Sequence, residues 1–483
     1  MREVPLSALQ PALSGKLPIV VDLDNTLILT DSLHEQIANV CSDPLRLLQT
    51  LPHLLKGRAA LKAALAEAPF DAAAWPLRAD LVAWLRNEAD EGREIHLCSA
   101  ANQAVVESVA SHLGLFTTGA GSDCVNLKGA AKAEYLVRRF PDGFVYAGDS
   151  RADIPVWEAA QGIVLADTSP AVERAARDLG KPVEARFKRA PLTIVDWLKA
   201  LRAHHWSKNA LIFVPFILGH VWAEPFAFMT VVLGLICLLM ITSATYLIND
   251  IADLSADRRH WSKRDRALAS GRLSIRAGVS VAALLLIAGF AGAVLLSSGF
   301  ALVLAGYVTL TLAYSFGLKR VPLLDTLIIG TLFTSRLLMG IALLNLNYSE
   351  WLLTFSMFFF FSLAIAKRHT EIISAGRSMS HSLASRGYQI EDAPLTLVFG
   401  VSSSVASLLI MMLFIVEEVE RQGLYNHPKS LWAIPMVLSL WVSRIWLLAH
   451  RGQLDDDPVS FALQDKVSLL LGAAVGVIFV ISL

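Results

Sequence analysis

The chain has 483 residues, too many for one ordinary domain, and its 54% hydrophobic content with mean hydropathy +0.52 excludes a wholly soluble protein. Its 42 Lys and Arg balance 42 Asp and Glu, so attraction to phosphates must come from where charges sit and not from their sum. No nucleic-acid partner is expected. Cys41, Cys98, Cys124 and Cys237 show no CxxC spacing, which argues against a disulfide framework or a zinc site and fits a reduced compartment.

Residues 1–188 mix charge and hydrophobe as a soluble domain does, and the opening residues lack the apolar core of a cleavable signal. This half is therefore expected in the cytosol. "LPIVVDLDNTLILTDS" reads as a buried strand, Ile19 to Val21, that ends in Asp22, Asp24 and Thr26, where open α/β sheets place their ligands. Three segments follow in order: the strand "EIHLCSA" ending in Ser99, Lys132 in "LKGAAKAEYL", and the strand "FVYAGDSRAD" carrying Asp149 and Asp153. Taken singly, each aspartate is explained as a helix cap. Together they suit phosphate chemistry. Asp22 is placed to attack phosphorus, and Asp24 to give the leaving group a proton and later take one from water. Ser99 and Lys132 would hold phosphoryl oxygens, while Asp22, Asp149 and Asp153, with Asp24 beside them, gather a hard magnesium ion.

These four motifs resemble the haloacid dehalogenase (HAD) superfamily of phosphohydrolases. The resemblance implies a Rossmann-like α/β domain, an aspartyl nucleophile at Asp22, and a small helical cap at residues 31 to about 75.

Residues 189–208, which share most of the stretch "APLTIVDWLKALRAHHWSKN" (190–209), place Leu192, Ile194, Trp197, Leu198 and Leu201 near one side of a helix. An interfacial linker on the membrane surface is expected. From 209 to 483, nine apolar spans are expected: 209–222, 225–249, 277–298, 300–316, 323–345, 351–368, 396–417, 431–449 and 466–483. Lys and Arg gather in alternate loops, seven of them between the second and third spans, whereas the opposite loops carry only Arg421 and Lys429. The basic loops should face the cytoplasm, with the chain crossing the cell inner (plasma) membrane several times.

The polar residues of this half cluster. In "NDIADLSADRRHWSKRDR", residues 249–266, Asp250, Asp253 and Asp257 are spaced i, i+3, i+7 and would fall within an arc of about 60° on one helix. So dense an acidic face needs a cation, and oxygen ligands favour magnesium on Asn249, Asp250, Asp253 and Asp257. Lys263 and Arg266 are candidates for phosphate contacts, while Arg258, Arg259 and Arg264 are explained by topology alone. Tyr314, Lys319, Arg320 and Asp325 lie around the turn from the fourth span to the fifth, where the chain re-enters the membrane. Arg336 lies inside the fifth, lining a cavity or pairing with Asp325. His204, His205 and His369 read as loop or interface histidines.

The aspartate loops and the surface-helix entry resemble the UbiA-type superfamily of intramembrane transferases. "LRAHHWSKNALIFVP", "YLINDIADLSADRRHWSKRDRALASG", "KRHTEIISAG", "SRGYQ" and "DDDPVSFALQDK" are similar to one branch, the decaprenyl-phosphate phosphoribosyltransferases. His260-Trp261 stands where that branch usually has His-Pro. The resemblance implies that a polyprenyl phosphate attacks phosphoribosyl diphosphate and expels diphosphate. Lys208, Lys263, Arg266, Lys319, Lys367 and Arg368 are then candidates for phosphates, with Glu371 and Tyr388 for the sugar. The partners implied are a polyprenyl phosphate lipid, phosphoribosyl diphosphate and membrane lipids, and the oligomeric state stays open.

A tethered phosphohydrolase would act on the 5-phosphate of the lipid product, at a local concentration in roughly the millimolar range. Two further readings stay open: an aromatic prenyltransferase with an attached phosphatase, and a transporter or scaffold with a regulatory phosphatase-like domain.

Overall fold

The computed structural model describes residues 16–41, 46, 49–50, 52–53, 65, 71–122, 126–378, 387–423, 425–454 and 458–483. The chain divides into two compact units, Met1–Ala200 with Leu247–Ser280, and Leu201–Tyr246 with Val281–Leu483.

The first unit is built on six parallel strands in the order β3-β2-β1-β4-β5-β6. They are β1 Ile19–Val21, β2 Ile95–Asn102, β3 Thr118–Ser122, β4 Val145–Gly148, β5 Gly162–Ala166 and β6 Val183–Phe187. The central strands read as near-continuous apolar runs because helices cover both faces. On one side Ile19, Val21, Leu97, Val106 and Val145 share a core, and on the other Val20, Tyr146, Trp157 and Ile163 do. Helix Gln103–Leu113 shows the local logic: it buries Val105, Val106, Val109 and Ala110, and stops at Gly114, whose φ of 58° is the left-handed cap glycine accepts most easily.

From β1 the chain builds outward through β2 and β3, then returns to the other side of β1 as β4. The strand order therefore reverses between β1 and β4, and such switch points open a crevice at the carboxyl ends of the strands. Val21 is in register with Leu97 on one side and Ala147 on the other, so the residues just after these strands converge there. Of the expected cap, helix Ser32–Cys41 and the short turn Ala72–Ala74 are in place, and most of residues 42–70 lies outside the described residues. Exposed Ile194 and Val195 sit on helix Ile194–Ala200, within the expected linker.

Among the described residues seven helices are long and apolar enough to cross a membrane: Ala227–Ala252, Ile275–Leu296, Ser298–Phe316, Leu324–Leu344, Glu350–Arg377, Ile390–Val419 and Pro428–His450. The expectation of nine is corrected at both ends of the list. Lys466–Ser482 is a shorter apolar helix, and 209–222 is not one helix but a 3-10 segment Ala203–Phe213 followed by Val214–Leu218. Polar anchors explain that segment. Asn209 donates to Thr242 Oγ1 and accepts from Arg336 Nε, and Trp206 donates to Ser243 Oγ, so side chains and not helix periodicity set its path. Gly340 gives it room, since a Cβ there would lie 3.0 Å from Pro215.

Candidate active sites

At the β1/β4 crevice the sequence-predicted residues of the first unit come together. Lys132 Nζ donates to Asp22 Oδ1 at 2.9 Å and to the Tyr146 hydroxyl at 2.9 Å, which in turn donates to Asp153 Oδ1 at 2.9 Å. Three carboxylate oxygens, one each from Asp22, Asp149 and Asp153, lie within 4.8 Å of one another. Ser99 is fully buried inside β2, which runs on to Asn102 and does not end at Ser99 as expected, and its Oγ accepts the Ala101 amide at 3.1 Å. The loop after Asp22 is pinned by Arg78, which donates to the carbonyls of Thr26 and Asn25 at 2.9 Å each, and Asn25 turns through a φ of 56°.

Electrostatics define what this cluster lacks. Burial pushes the Asp22 carboxyl up, opposed by Lys132, and burial with the negative charge of Asp153 pushes Asp149 up to about 8. The raised values mean that these buried, crowded carboxyls resist ionising together, and a divalent cation such as magnesium, bound by their hard oxygen donors, would favour the charged forms. Asp153 already accepts from Tyr146, the amides of Asp149 and Ser150, and the Ser150 hydroxyl, close to the full capacity of a carboxylate. It therefore orders the loop, and Asp22 and Asp149 are the better direct ligands. Asp24 does not join the metal cluster among the described residues. Its Oδ1 accepts the Ser32 amide at 2.7 Å, and burial together with the Asp31 charge raises it to about 7, a value suited to passing a proton near neutrality. Sequence reasoning missed Tyr146 and Arg78 because both occupy positions that also read as ordinary core and loop.

The aspartate loop belongs to the same unit. The expected single acidic helix is corrected: helix Ala227–Ala252 ends, Asp253 breaks it with φ −90° and ψ 7°, and a new helix runs Leu254–Arg259. Asp250 and Asp257 still converge, because Arg266 Nη1 bonds Asp250 Oδ1 at 3.1 Å and Asp257 Oδ2 at 2.5 Å. Asn249 donates to Asp253 at 3.1 Å, and Lys263 Nζ stands 3.9 Å from Asp257. One guanidinium nitrogen shared by two carboxylates marks a place where a single cation meets both Asp250 and Asp257, whose oxygen donors could hold a magnesium ion, although among the described residues the loop does not gather three such donors at one point. Arg266 is here a counter-ion of the aspartates. Burial raises the Asp257 carboxyl, and Arg266 pulls it back. At His260 the backbone turns extended, and the Ser262 amide donates to His260 Nδ1 at 3.2 Å, which makes the turn without proline.

Arg258 corrects the sequence reading most. It is no solvated topology marker: its guanidinium grips Glu35 through two bonds of 2.7 Å and donates through Nε to the Ala269 carbonyl at 2.9 Å, with both charged side chains buried.

In the second unit, fully buried Asp325 accepts from Arg368 Nε at 2.7 Å and from the Tyr388 hydroxyl at 2.7 Å, while Arg368 Nη1 reaches Glu371 at 2.6 Å. Four candidates from three distant segments thus form one network, and Tyr314 and Lys319 lie within its electrostatic reach. Arg336 is not the partner of Asp325. It bonds Asn209 and the Tyr307 hydroxyl and stacks over the Tyr307 ring at 5.2 Å. Lys208 is buried in the 3-10 segment and Lys367 half-buried on helix Glu350–Ser378. Arg368→Leu should strand Asp325 as a buried charge and cost about 3–5 kcal/mol, seen as a lower unfolding temperature in detergent. An unchanged transition would show that the pair contributes nothing net.

Comparison with known proteins adds the following. A profile of the UbiA prenyltransferase family matches residues 212–465. The uncharacterized protein y4nM of Sinorhizobium fredii is 45% identical over 471 residues, spanning 97% of this chain and 91% of its own. Nodulation protein NoeC of Azorhizobium caulinodans is 32% identical over 296 residues, spanning 60% of this chain and 94% of its own. The decaprenyl-phosphate phosphoribosyltransferase of Mycobacterium tuberculosis is 26% identical over 284 residues, spanning 57% of this chain and 90% of its own.

Proposed function

Because the chain belongs to the UbiA prenyltransferase family and is an integral membrane protein, we propose that residues 209–483 transfer 5-phosphoribosyl from phosphoribosyl diphosphate to a polyprenyl phosphate, releasing diphosphate. The observation that carries the ribosyl reading is the similarity to a decaprenyl-phosphate phosphoribosyltransferase across nine-tenths of that protein's length. An aromatic prenyltransferase would share the aspartates but has less use for the basic and acidic residues gathered around Arg368.

In this reading Asn249, Asp250, Asp253 and Asp257 hold magnesium, which when bound neutralises the charge that builds on the departing diphosphate. Arg266 spans two of the carboxylates and keeps them together before substrate arrives. Lys263 and Lys208 reach for donor phosphates, as do Lys319 and Lys367. Arg368, held rigid by Asp325, presents charge to a phosphate, and Glu371 and Tyr388 are placed for sugar hydroxyls. The basic loops lie on the cytoplasmic side of the plasma membrane.

Residues 1–188 are proposed as a phosphohydrolase of the HAD type, acting on the 5-phosphate of the lipid made by the same chain. Asp22 attacks phosphorus to give an aspartyl-phosphate, Asp24 protonates the leaving oxygen, and Lys132 and Ser99 hold the phosphoryl oxygens. Asp22 and Asp149, backed by Asp153, would hold magnesium, which lowers the charge repulsion met by the nucleophile.

The test is direct. Protein in detergent with labelled phosphoribosyl diphosphate, a polyprenyl phosphate and magnesium should give a labelled lipid. Labelled lipid appearing only with a prenyl diphosphate and an aromatic acid would overturn the ribosyl assignment.

A further inference from the structure

The Arg258–Glu35 pair has no role in either chemistry, yet it is among the best-formed ion pairs of the molecule. Both side chains are at most 6% exposed, and the contact is bidentate, with 2.7 Å at each bond. Burying two charges costs several kcal/mol each unless geometry and further hydrogen bonds repay it. Arg258 meets that condition through its third bond, to the Ala269 carbonyl on the returning limb of the aspartate loop.

Each end of the pair is next to something that matters. Arg258 directly follows Asp257 on the short helix Leu254–Arg259, so fixing its guanidinium fixes the helix that aims the Asp257 carboxylate at Arg266 and Asp250. Glu35 stands in the first turn of helix Ser32–Cys41, whose leading amide, Ser32, bonds the Asp24 carboxylate. Two more features fasten the same loop. Gly271, at φ +73°, comes so close to the 29 and 76 positions that a Cβ would lie 2.8 Å from the Leu29 Cβ, and Arg272 pairs with Asp196 at 2.6 Å. The exposed Arg259–Asp71 pair at 3.4 Å adds little by comparison.

We propose that Glu35, a residue of the phosphohydrolase-like part of the chain, is a positioning residue of the transferase: through Arg258 it holds Asp257 in the geometry that binds magnesium and the leaving diphosphate. The inference rests on the reading above that Asp250, Asp253 and Asp257 form the transferase's magnesium site. A group that orients a ligand without touching the metal is felt first in metal affinity, where its loss typically costs about 10- to 100-fold. Glu35 never meets substrate. Its effect should therefore appear as a higher magnesium requirement, with turnover at saturating magnesium largely kept.

The experiment uses the full chain carrying Asp22→Asn, so that phosphate release cannot change the product. Transfer is measured against magnesium concentration for this parent and for Glu35→Gln, Arg258→Ala, the exchange Glu35→Arg with Arg258→Glu, and Asp253→Ala. Hydrogen exchange of residues 250–272, with and without magnesium, supplies a readout that is independent of turnover. Expected are a rise of about 10-fold or more in the magnesium needed for half-maximal rate in Glu35→Gln, faster exchange in the loop that magnesium suppresses only partly, and recovery in the exchanged pair. A Glu35→Gln protein with the parent's magnesium curve and loop exchange overturns the inference. So does a uniform loss of rate that saturating magnesium and the exchanged pair both fail to restore, since that is plain loss of fold. If the parent transfers nothing, or Asp253→Ala transfers as well as the parent, it is the transferase reading that has failed.

Discussion

Asp257→Asn protein is expected to transfer ribosyl about 100- to 1,000-fold more slowly than wild type, while its hydrolysis of a small soluble phosphate ester stays unchanged. The substitution keeps the side chain's volume but removes the charge that faces Arg266 at 2.5 Å, so the helix Leu254–Arg259 should remain folded. What is lost is a ligand at the point where negative charge must be met. Asp257 is buried, and its neighbour Asp250 shares the same guanidinium nitrogen, so the loss leaves Arg266 paired with one carboxylate where it had two. Rates are compared at saturating substrate over a magnesium series. A rate within a few-fold of wild type at every magnesium concentration would remove Asp257 from the metal site.

Asp22→Asn should abolish phosphate release, by at least about 1,000-fold, because an amide cannot serve as the nucleophile proposed for Asp22. The same protein should still make labelled lipid, which now keeps its 5-phosphate. Lipid analysis with radiolabelled donor distinguishes the two products. Normal release of the 5-phosphate by Asp22→Asn would mean that the first unit does not act on this lipid. The substitution also removes the negative charge that Lys132 neutralises, leaving it at best a neutral amide oxygen beside the Tyr146 hydroxyl, and a modest change in thermal stability is expected alongside.

Much of the molecule was legible in the amino-acid sequence, and for physical reasons. Strand β1 announces itself because three apolar residues followed by Asp22 and Asp24 can be little else than a buried strand emptying into polar chemistry. The membrane helices are legible because the bilayer demands a length and composition that few other structures share. Asp22, Ser99, Lys132 and Asp149 could be grouped in advance because their motifs, taken in order, resemble those of the haloacid dehalogenase superfamily, even though Lys132 sits on helix Ala130–Arg139 and not at a strand end.

Tertiary structure decided the rest. It set who pairs with whom among charges of similar type: Arg368 and not Arg336 neutralises Asp325, because the chain path of 203–213 draws Arg336 to Asn209. It broke the acidic helix at Asp253, and it turned a first apolar span into a 3-10 segment anchored by side-chain bonds. It took Arg258, which composition explains as one more positive charge in a basic loop, and buried it against Glu35, 223 positions away. Periodicity and hydropathy are local or additive properties, so sequence carries them openly. An ion pair depends on two side chains arriving at one place with the right angle and without water, and only the folded chain determines that.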